Sequence, residues 1–246
     1  MDDRGRALVT GASSGIGAAT VRALCEAGFE VHAAARRADR LDALAAETGC
    51  VAYTLDVNDR EAVVELGASV PVDLLVNNAG LGRAMGDFLN ASVDDLERTI
   101  NTNVTSALHM AQVVLPGMIQ RKRGHIVNIG SVAGLNAVAS TLYGATKSAI
   151  HMFTRDLRLE LHGTGVRVTE ICPGRVTTEF YDVAVDDPNE RADHTGHGGE
   201  ELHPSDIAEA IVYAATAPER VNVSLLEIFP TEQTYGGSTF TPVDRS

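Results

Sequence analysis

Short apolar runs alternate along this chain with longer segments in which apolar residues recur every three or four positions. The short runs lie at Arg6–Val9, Glu30–Ala35, Val51–Leu55, Val72–Val76, His125–Ile129, Val166–Ile171 and Val223–Phe229. They are rich in β-branched residues, and several are apolar at nearly every position, as suits parallel strands covered on both faces. Helical spacing runs through Ile16–Ala27, Arg40–Thr48, Arg60–Gly67, Val93–Ile119, Tyr143–His162 and Pro204–Ala215. Strand–helix units repeated in this way predict an α/β fold, a doubly wound parallel sheet with right-handed crossovers and helices on both faces. No repeat or linker divides the chain, so residues 1–246 read as one domain. Thr177–His203 carries little pattern, and a connection of that length reads as a lid, a binding loop or a disordered stretch.

Composition narrows the function. The 246 residues are 44% hydrophobic with a formal net charge of −13, which argues against binding to nucleic acid or an anionic membrane surface. The charged start, Met-Asp-Asp-Arg-Gly-Arg, predicts no signal peptide, and no apolar run approaches a membrane span. Cys25, Cys50 and Cys172 are scattered and form no Cys-x-x-Cys pair, so neither a disulfide framework nor a metal site is expected. A cytoplasmic location follows by elimination.

The first strand ends in Thr10-Gly11-Ala12-Ser13-Ser14-Gly15-Ile16-Gly17, and a helix begins at once. Glycines let the backbone approach a pyrophosphate, and the helix N-terminus offers unpaired amides and a positive dipole end. The same residues satisfy Gly-x-Ser-x-Gly, which would make Ser13 a hydrolase nucleophile; that alternative leaves Gly17 and the residues below unexplained. At the end of strand two a carboxylate favours a free ribose 2′-hydroxyl, whereas an Arg favours a 2′-phosphate. Here the strand ends Ala35-Arg36-Arg37. Arg suits forked binding of phosphate oxygens, so the pair argues for NADP(H) over NAD(H), with a solvated basic patch as the bland alternative. Asp56 and Val57, after strand three, fall near the expected adenine.

Tyr143 and Lys147 lie one turn apart on one helix face. A nearby ammonium favours the phenolate and lowers a value ordinarily near ~10, making a tuned acid–base; the spacing also occurs as an ordinary surface pair. Asn103 interrupts the apolar stripe Leu96, Ile100, Ala107, Ala111, Leu115 and Met118, as either a structural hydrogen-bonder or a member of a polar site. Ser131 follows strand five, where parallel strands open into a ligand crevice, though such serines also cap turns.

Taken together, these residues resemble the short-chain dehydrogenase/reductase family. The resemblance rests on Thr10–Gly17, Asn77-Asn78-Ala79-Gly80, Asn103, Ser131, Tyr143 with Lys147, and Pro173-Gly174, in the family's order and across nearly the whole chain. It implies a single-domain Rossmann-type sheet of seven parallel strands in the order 3-2-1-4-5-6-7. It also implies hydride transfer between a nicotinamide and a small carbonyl or secondary alcohol. Tyr143 would be the acid–base, Lys147 would lower its pKa and bind the ribose, and Ser131 would orient the substrate oxygen. Asn103 would hold a water linking Lys147 to solvent. The cofactor would meet Gly11, Ser13, Ser14, Gly15, Ile16, Gly17, Arg36, Arg37, Asp56, Val57, Asn78, Ala79, Gly80, Tyr143 and Lys147, with Pro173, Gly174, Val176 and Thr178 at its nicotinamide end. The residues from 177 to 203 would be the substrate lid. The interval from Ser131 to Tyr143 is slightly shorter than the family pattern, which bears on the wall of the substrate pocket. Val221–Thr231 resembles a branch that reduces small carbonyl compounds or oxidises 3-hydroxy acids with NADP. A homo-oligomer, tetramer or dimer, packed through the Asn103 and Tyr143 helices is the implied assembly. A dinucleotide sensor without turnover is the competing reading, and the intact acid–base set argues against it. Asp193, His194 and His197 could chelate a metal, but a solvated lid explains them as well.

Overall fold

A computed structural model describes residues 4–83, 88–138, 140–185 and 199–243. Its strands are β1 (Arg6–Thr10), β2 (Glu30–Ala35), β3 (Val51–Thr54), β4 (Leu74–Asn77), β5 (Gly124–Ile129), β6 (Val166–Pro173) and β7 (Leu225–Ile228). They form one seven-stranded sheet in the order β3-β2-β1-β4-β5-β6-β7, with every pairing parallel. The sheet has the expected order.

The helices are α1 (Gly15–Glu26), α2 (Ala38–Thr48), α3 (Arg60–Ser69), α4 (Val93–Ile100), α5 (Ser106–Arg121), α6 (Val132–Leu135), α7 (Thr141–Glu160), α8 (Phe180–Ala184) and α9 (Pro204–Thr216). Alternate strand residues feed two cores, because successive side chains point to opposite faces. Ala7 and Val9 join Val21 and Leu24 of α1, Leu41 and Leu44 of α2, and Ile207 and Ile211 of α9. Leu8 between them joins Val63 and Leu66 of α3, Met110, Val114 and Met118 of α5, and Leu157 of α7. The inner strands β1, β2, β4, β5 and β6 are therefore covered on both sides, which is why they read as near-continuous apolar runs, while the edge strands β3 and β7 keep exposed positions. Asp59 and Ser92 cap α3 and α4, their side chains accepting from Ala62 N and Asp95 N.

Two expectations are corrected. The single helix expected over Val93–Ile119 is broken: Asn101–Thr105 forms a π-turn between α4 and α5. Apolar spacing cannot register one extra residue in a turn, and the break occurs where Asn103 is drawn to a neighbouring backbone. In addition, α6 and α8 are helices too short to show a period. In the proposed lid, the residues numbered 186–198 lie outside the described residues, and Asp193, His194 and His197 with them. The ends of that segment are described and meet: Thr177 N donates to Leu202 O at 2.9 Å and Leu202 N to Arg175 O at 3.0 Å.

Candidate active site

The crevice opens where β1 and β4 end. Gly11 turns the chain there at φ +67°, and a Cβ on it would sit 2.9 Å from Ala79 Cα. Gly17 lets α1 pack on this turn, since a Cβ there would lie 2.3 Å from Gly11 O. Asn78 ties the two walls together: its Nδ2 donates to Thr10 O at 2.9 Å, while Asn78 N and Ala79 N both donate to Thr10 Oγ1. The N-terminus of α1 thus faces a cradle with no side chain on its nearest glycines, which fits a pyrophosphate. Gly15 sits opposite Thr178, whose Cγ2 is 3.1 Å from a Gly15 Cβ position. Ile16 instead packs toward the core.

Arg37 reaches over this turn. Its Nε donates to Ser13 Oγ at 3.0 Å and an Nη to Ser14 Oγ at 2.6 Å. A third nitrogen donates to Glu179 Oε2 at 2.9 Å, and Arg40 binds the same carboxylate at 2.7 Å. These guanidiniums hold the Glu179 carboxyl below the usual carboxylate range, Arg37 more than Arg40. Two hydroxyls and a forked cation at the end of β2 form a donor set suited to a ribose 2′-phosphate. Arg36 beside it is exposed. Asp56 is exposed and turned into its own loop, its Oδ1 accepting from Asn58 N at 2.9 Å, and Val57 lines a separate small cavity with Asn101 and His109.

Across the crevice, α7 presents Tyr143 and Lys147. Lys147 is buried, its Nζ donating to Ile129 O at 2.7 Å and lying 5.7 Å from the centroid of the Tyr143 ring. Burial pulls the lysine down to about 8, against the pull of Cys172 and Glu170. The tyrosine departs from expectation: burial pushes its phenol above the ordinary range, while a hydrogen bond with Ser131 works the other way. Burial outweighs that bond, and Lys147, its ammonium turned toward the Ile129 carbonyl, is not among the groups that lower it. Ser131 also caps α6, its Oγ accepting from Ala133 N at 3.1 Å.

Asn103 is 2% exposed and bonds through its whole amide: Oδ1 accepts from Leu81 N at 2.7 Å, and Nδ2 donates to Leu81 O and to Thr146 Oγ1. A Cβ on Gly80 would lie 3.8 Å from both Asn103 Oδ1 and Lys147 Nζ. The side chain clamps the groove wall to α7, so both amide hydrogens are spent on protein partners. At the far end, Pro173 closes β6 and Gly174 N donates to Ile228 O at 2.7 Å, while Val176 bridges to Leu202.

Sequence reasoning passed over several residues here. Thr10 was legible as the last strand residue before the turn. Glu179 and Arg40, paired across the crevice, gave no signal at all. Neither did the aromatic wall, in which Phe180 meets Tyr143 at 5.3 Å between ring centroids and Tyr181 meets Phe180 edge-on at 5.5 Å. The Arg175 guanidinium lies 5.1 Å from the Tyr181 ring centroid.

Residues 6–189 match the family model described as short chain dehydrogenase. The chain is 44% identical to the NADP-dependent 3-hydroxy acid dehydrogenase YdfG of Salmonella typhi over 94% of this chain and 96% of that protein. It is 37% identical to the serine 3-dehydrogenase of Agrobacterium fabrum (strain C58), over 95% and 96%. Among solved structures, the closed form of serine dehydrogenase complexed with NADP+ superposes with a TM-score of 0.89 at 42% identity, covering 98% of this chain and all of that one.

Proposed function

From the premise that this chain belongs to the short-chain dehydrogenase family, we propose that it interconverts a small 3-hydroxy acid and the corresponding 3-oxo acid, with Tyr143 moving the proton. It is an NADP-dependent oxidoreductase acting at a hydroxyl or carbonyl carbon. When bound, the dinucleotide supplies or accepts the hydride. The chain's residues do the rest. Ser131 holds the substrate oxygen, and Tyr143 donates its proton to that oxygen in reduction or removes it in oxidation. Lys147 supplies a buried positive charge beside both. Asn103, its amide hydrogens already engaged, offers its backbone rather than its side chain to a water on the solvent side of Lys147.

The observation that carries this reading is the convergence of Ser131, Tyr143 and Lys147 beside the glycine cradle. Gly11, Ser13, Ser14, Gly15, Gly17, Arg37, Asn78, Ala79 and Gly80 are the cofactor contacts it favours, with Thr178, Pro173, Gly174 and Val176 at the nicotinamide end. The structure gives weaker support to Ile16, Arg36, Asp56 and Val57. Arg175, stacked on Tyr181 next to the Phe180–Tyr143 wall, is a cation suited to a substrate carboxylate. That favours a hydroxy acid over a neutral alcohol; in the reductive direction the enzyme is a carbonyl reductase.

We also read it as a homo-oligomer, since α7 leaves Met152 52% and Leu159 75% exposed. Its three cysteines are free thiols, which suits the reducing cytoplasm. Residues 1–246 act as one domain in this reading. The decisive experiment pairs NADPH and NADH with a panel of 3-hydroxy acids, alcohols and aldehydes in wild type and Tyr143→Phe. Turnover should fall by about 10²–10⁴-fold in the variant while NADPH binding persists. Undiminished turnover would sink the assignment.

A further inference from the structure

The face of α7 that carries Tyr143 and Lys147 continues one turn further to His151, and there it meets a carboxylate inside the sheet. Glu170 of β6 is 1% exposed, and its Oε2 lies 2.7 Å from His151 Nδ1. Its Oε1 has no hydrogen-bond partner. A buried carboxylate on a central strand costs free energy unless something uses it, and none of the chemistry above involves it. The residue preceding the site serine makes room for it: a Cβ on Gly130 would stand 2.4 Å from Glu170 Oε1 and 2.9 Å from Cys172 Sγ.

We propose that the Glu170–His151 pair is a positioning device for this site, a buried carboxylate packed against Gly130 that props the turn from Ile129, whose carbonyl accepts from Lys147, to Ser131. This rests on the assignment of Lys147 and Ser131 to the reaction. The groups facing the carboxylate are His151 and Arg158 from α7, with Cys172 on its own strand. Arg155 and Glu227 lie around a cavity of about 400 Å³ that Glu170 and His151 also line. Around Lys147 the titratable neighbours are Tyr143, Cys172 and Glu170. Tyr143 and Cys172 are both held protonated, by burial first and, for the thiol, by Glu170 next. Glu170 is the one carboxylic acid among them, and its pull on the lysine is upward. Without it, Cys172 alone would oppose desolvation at the lysine.

The chain makes a direct test possible, because Lys122 and Lys147 are its only lysines. Labelling lysine with ¹³C at Cε gives two resonances, and exposed Lys122 serves as the internal reference. The whole protein is titrated as wild type, Glu170→Gln and Glu170→Asp. The Lys147 midpoint should move down by about one pH unit, a tenfold change in its proton affinity, in Gln and stay near wild type in Asp. The alkaline limb of kcat/KM for NADP-linked oxidation should move with it. If Gln does not fold, Glu170→Asn against Glu170→Asp makes the same comparison. An unmoved Lys147 midpoint in the neutral variants, or an equal shift in Asp, would overturn the proposal. Absence of NADP-linked turnover in the wild type would count against the proposed function instead, and the lysine titration would still decide the role of Glu170.

Discussion

At the residue scale, the protonation of two side chains sets the direction of the chemistry. Tyr143 is held above the ordinary phenol range by burial, so at neutral pH it carries its proton and is ready to give it. Lys147, near 8, keeps its charge below that pH and loses it above. Carbonyl reduction should therefore be fastest below about pH 8, and alcohol oxidation, which needs the phenolate as well as the Lys147 charge, should rise toward about pH 8 and turn down above it. Initial rates in both directions from about pH 6 to about pH 10 check this, and parallel profiles would contradict it. In the proposed function, Arg37 is the residue on which coenzyme choice should turn. Arg37→Ala should cost about 1.5–3 kcal/mol of NADPH binding, roughly ten- to a hundredfold, and leave NADH nearly untouched. Glu179 competes for the same guanidinium, and such exposed pairs are worth about 0–1 kcal/mol. Glu179→Gln should therefore tighten NADPH binding only a few-fold, read by fluorescence titration. The Arg36-Arg37 pair was legible because it follows strand two, but which of the two reaches the turn was not, and its carboxylate rival comes from a segment far along the chain.

At the element scale, the π-turn between α4 and α5 is the feature that periodicity could not show. It brings Asn103 against Leu81 and Thr146, joining the groove wall to α7. Asn103→Ala would leave the backbone N–H and C=O of buried Leu81 unpaired, at roughly 1–3 kcal/mol each. A Tm lower by about 2–4 °C per kcal/mol should result for a domain of this size, together with loss of activity; a Tm equal to wild type would refute the clamp. Helix α7 was legible throughout, because its buried positions Leu142, Thr146, Ile150, Thr154 and Leu157 keep helical spacing. Its outer face, with Met152 and Leu159, is where assembly should be sensitive. Light scattering on a Met152→Glu, Leu159→Glu double variant should report a smaller species than wild type, and an unchanged mass would exclude this face.

For the whole molecule, stability should depend on pH through a histidine in the sheet. His125 of β5 is 3% exposed and bonds through Nε2 to Thr169 Oγ1 at 2.7 Å. Burial first, and Arg167 next, hold it down to about 3, so it stays neutral in the folded chain while the unfolded chain takes up a proton near ~6.5. The unfolded state binds more protons below that value, and stability is lost as pH falls from about 6.5 toward about 3. Thermal melts of wild type and His125→Gln near pH 7 and near pH 4.5 should show a smaller acid loss in the variant; equal losses would point elsewhere. The sequence by itself determined the alternation of strands and helices, the glycine turn, the arginine after strand two and the Tyr143–Lys147 pair. Each depends on residues within a few positions of one another, where backbone period and local chemistry suffice. Tertiary structure alone decided that Glu179 meets Arg37, that Glu170 meets His151 under the turn at Gly130, and that Tyr143 is pushed up rather than down. Those outcomes depend on burial and on neighbours brought together by strand order, and neither is written in the spacing of residues along the chain.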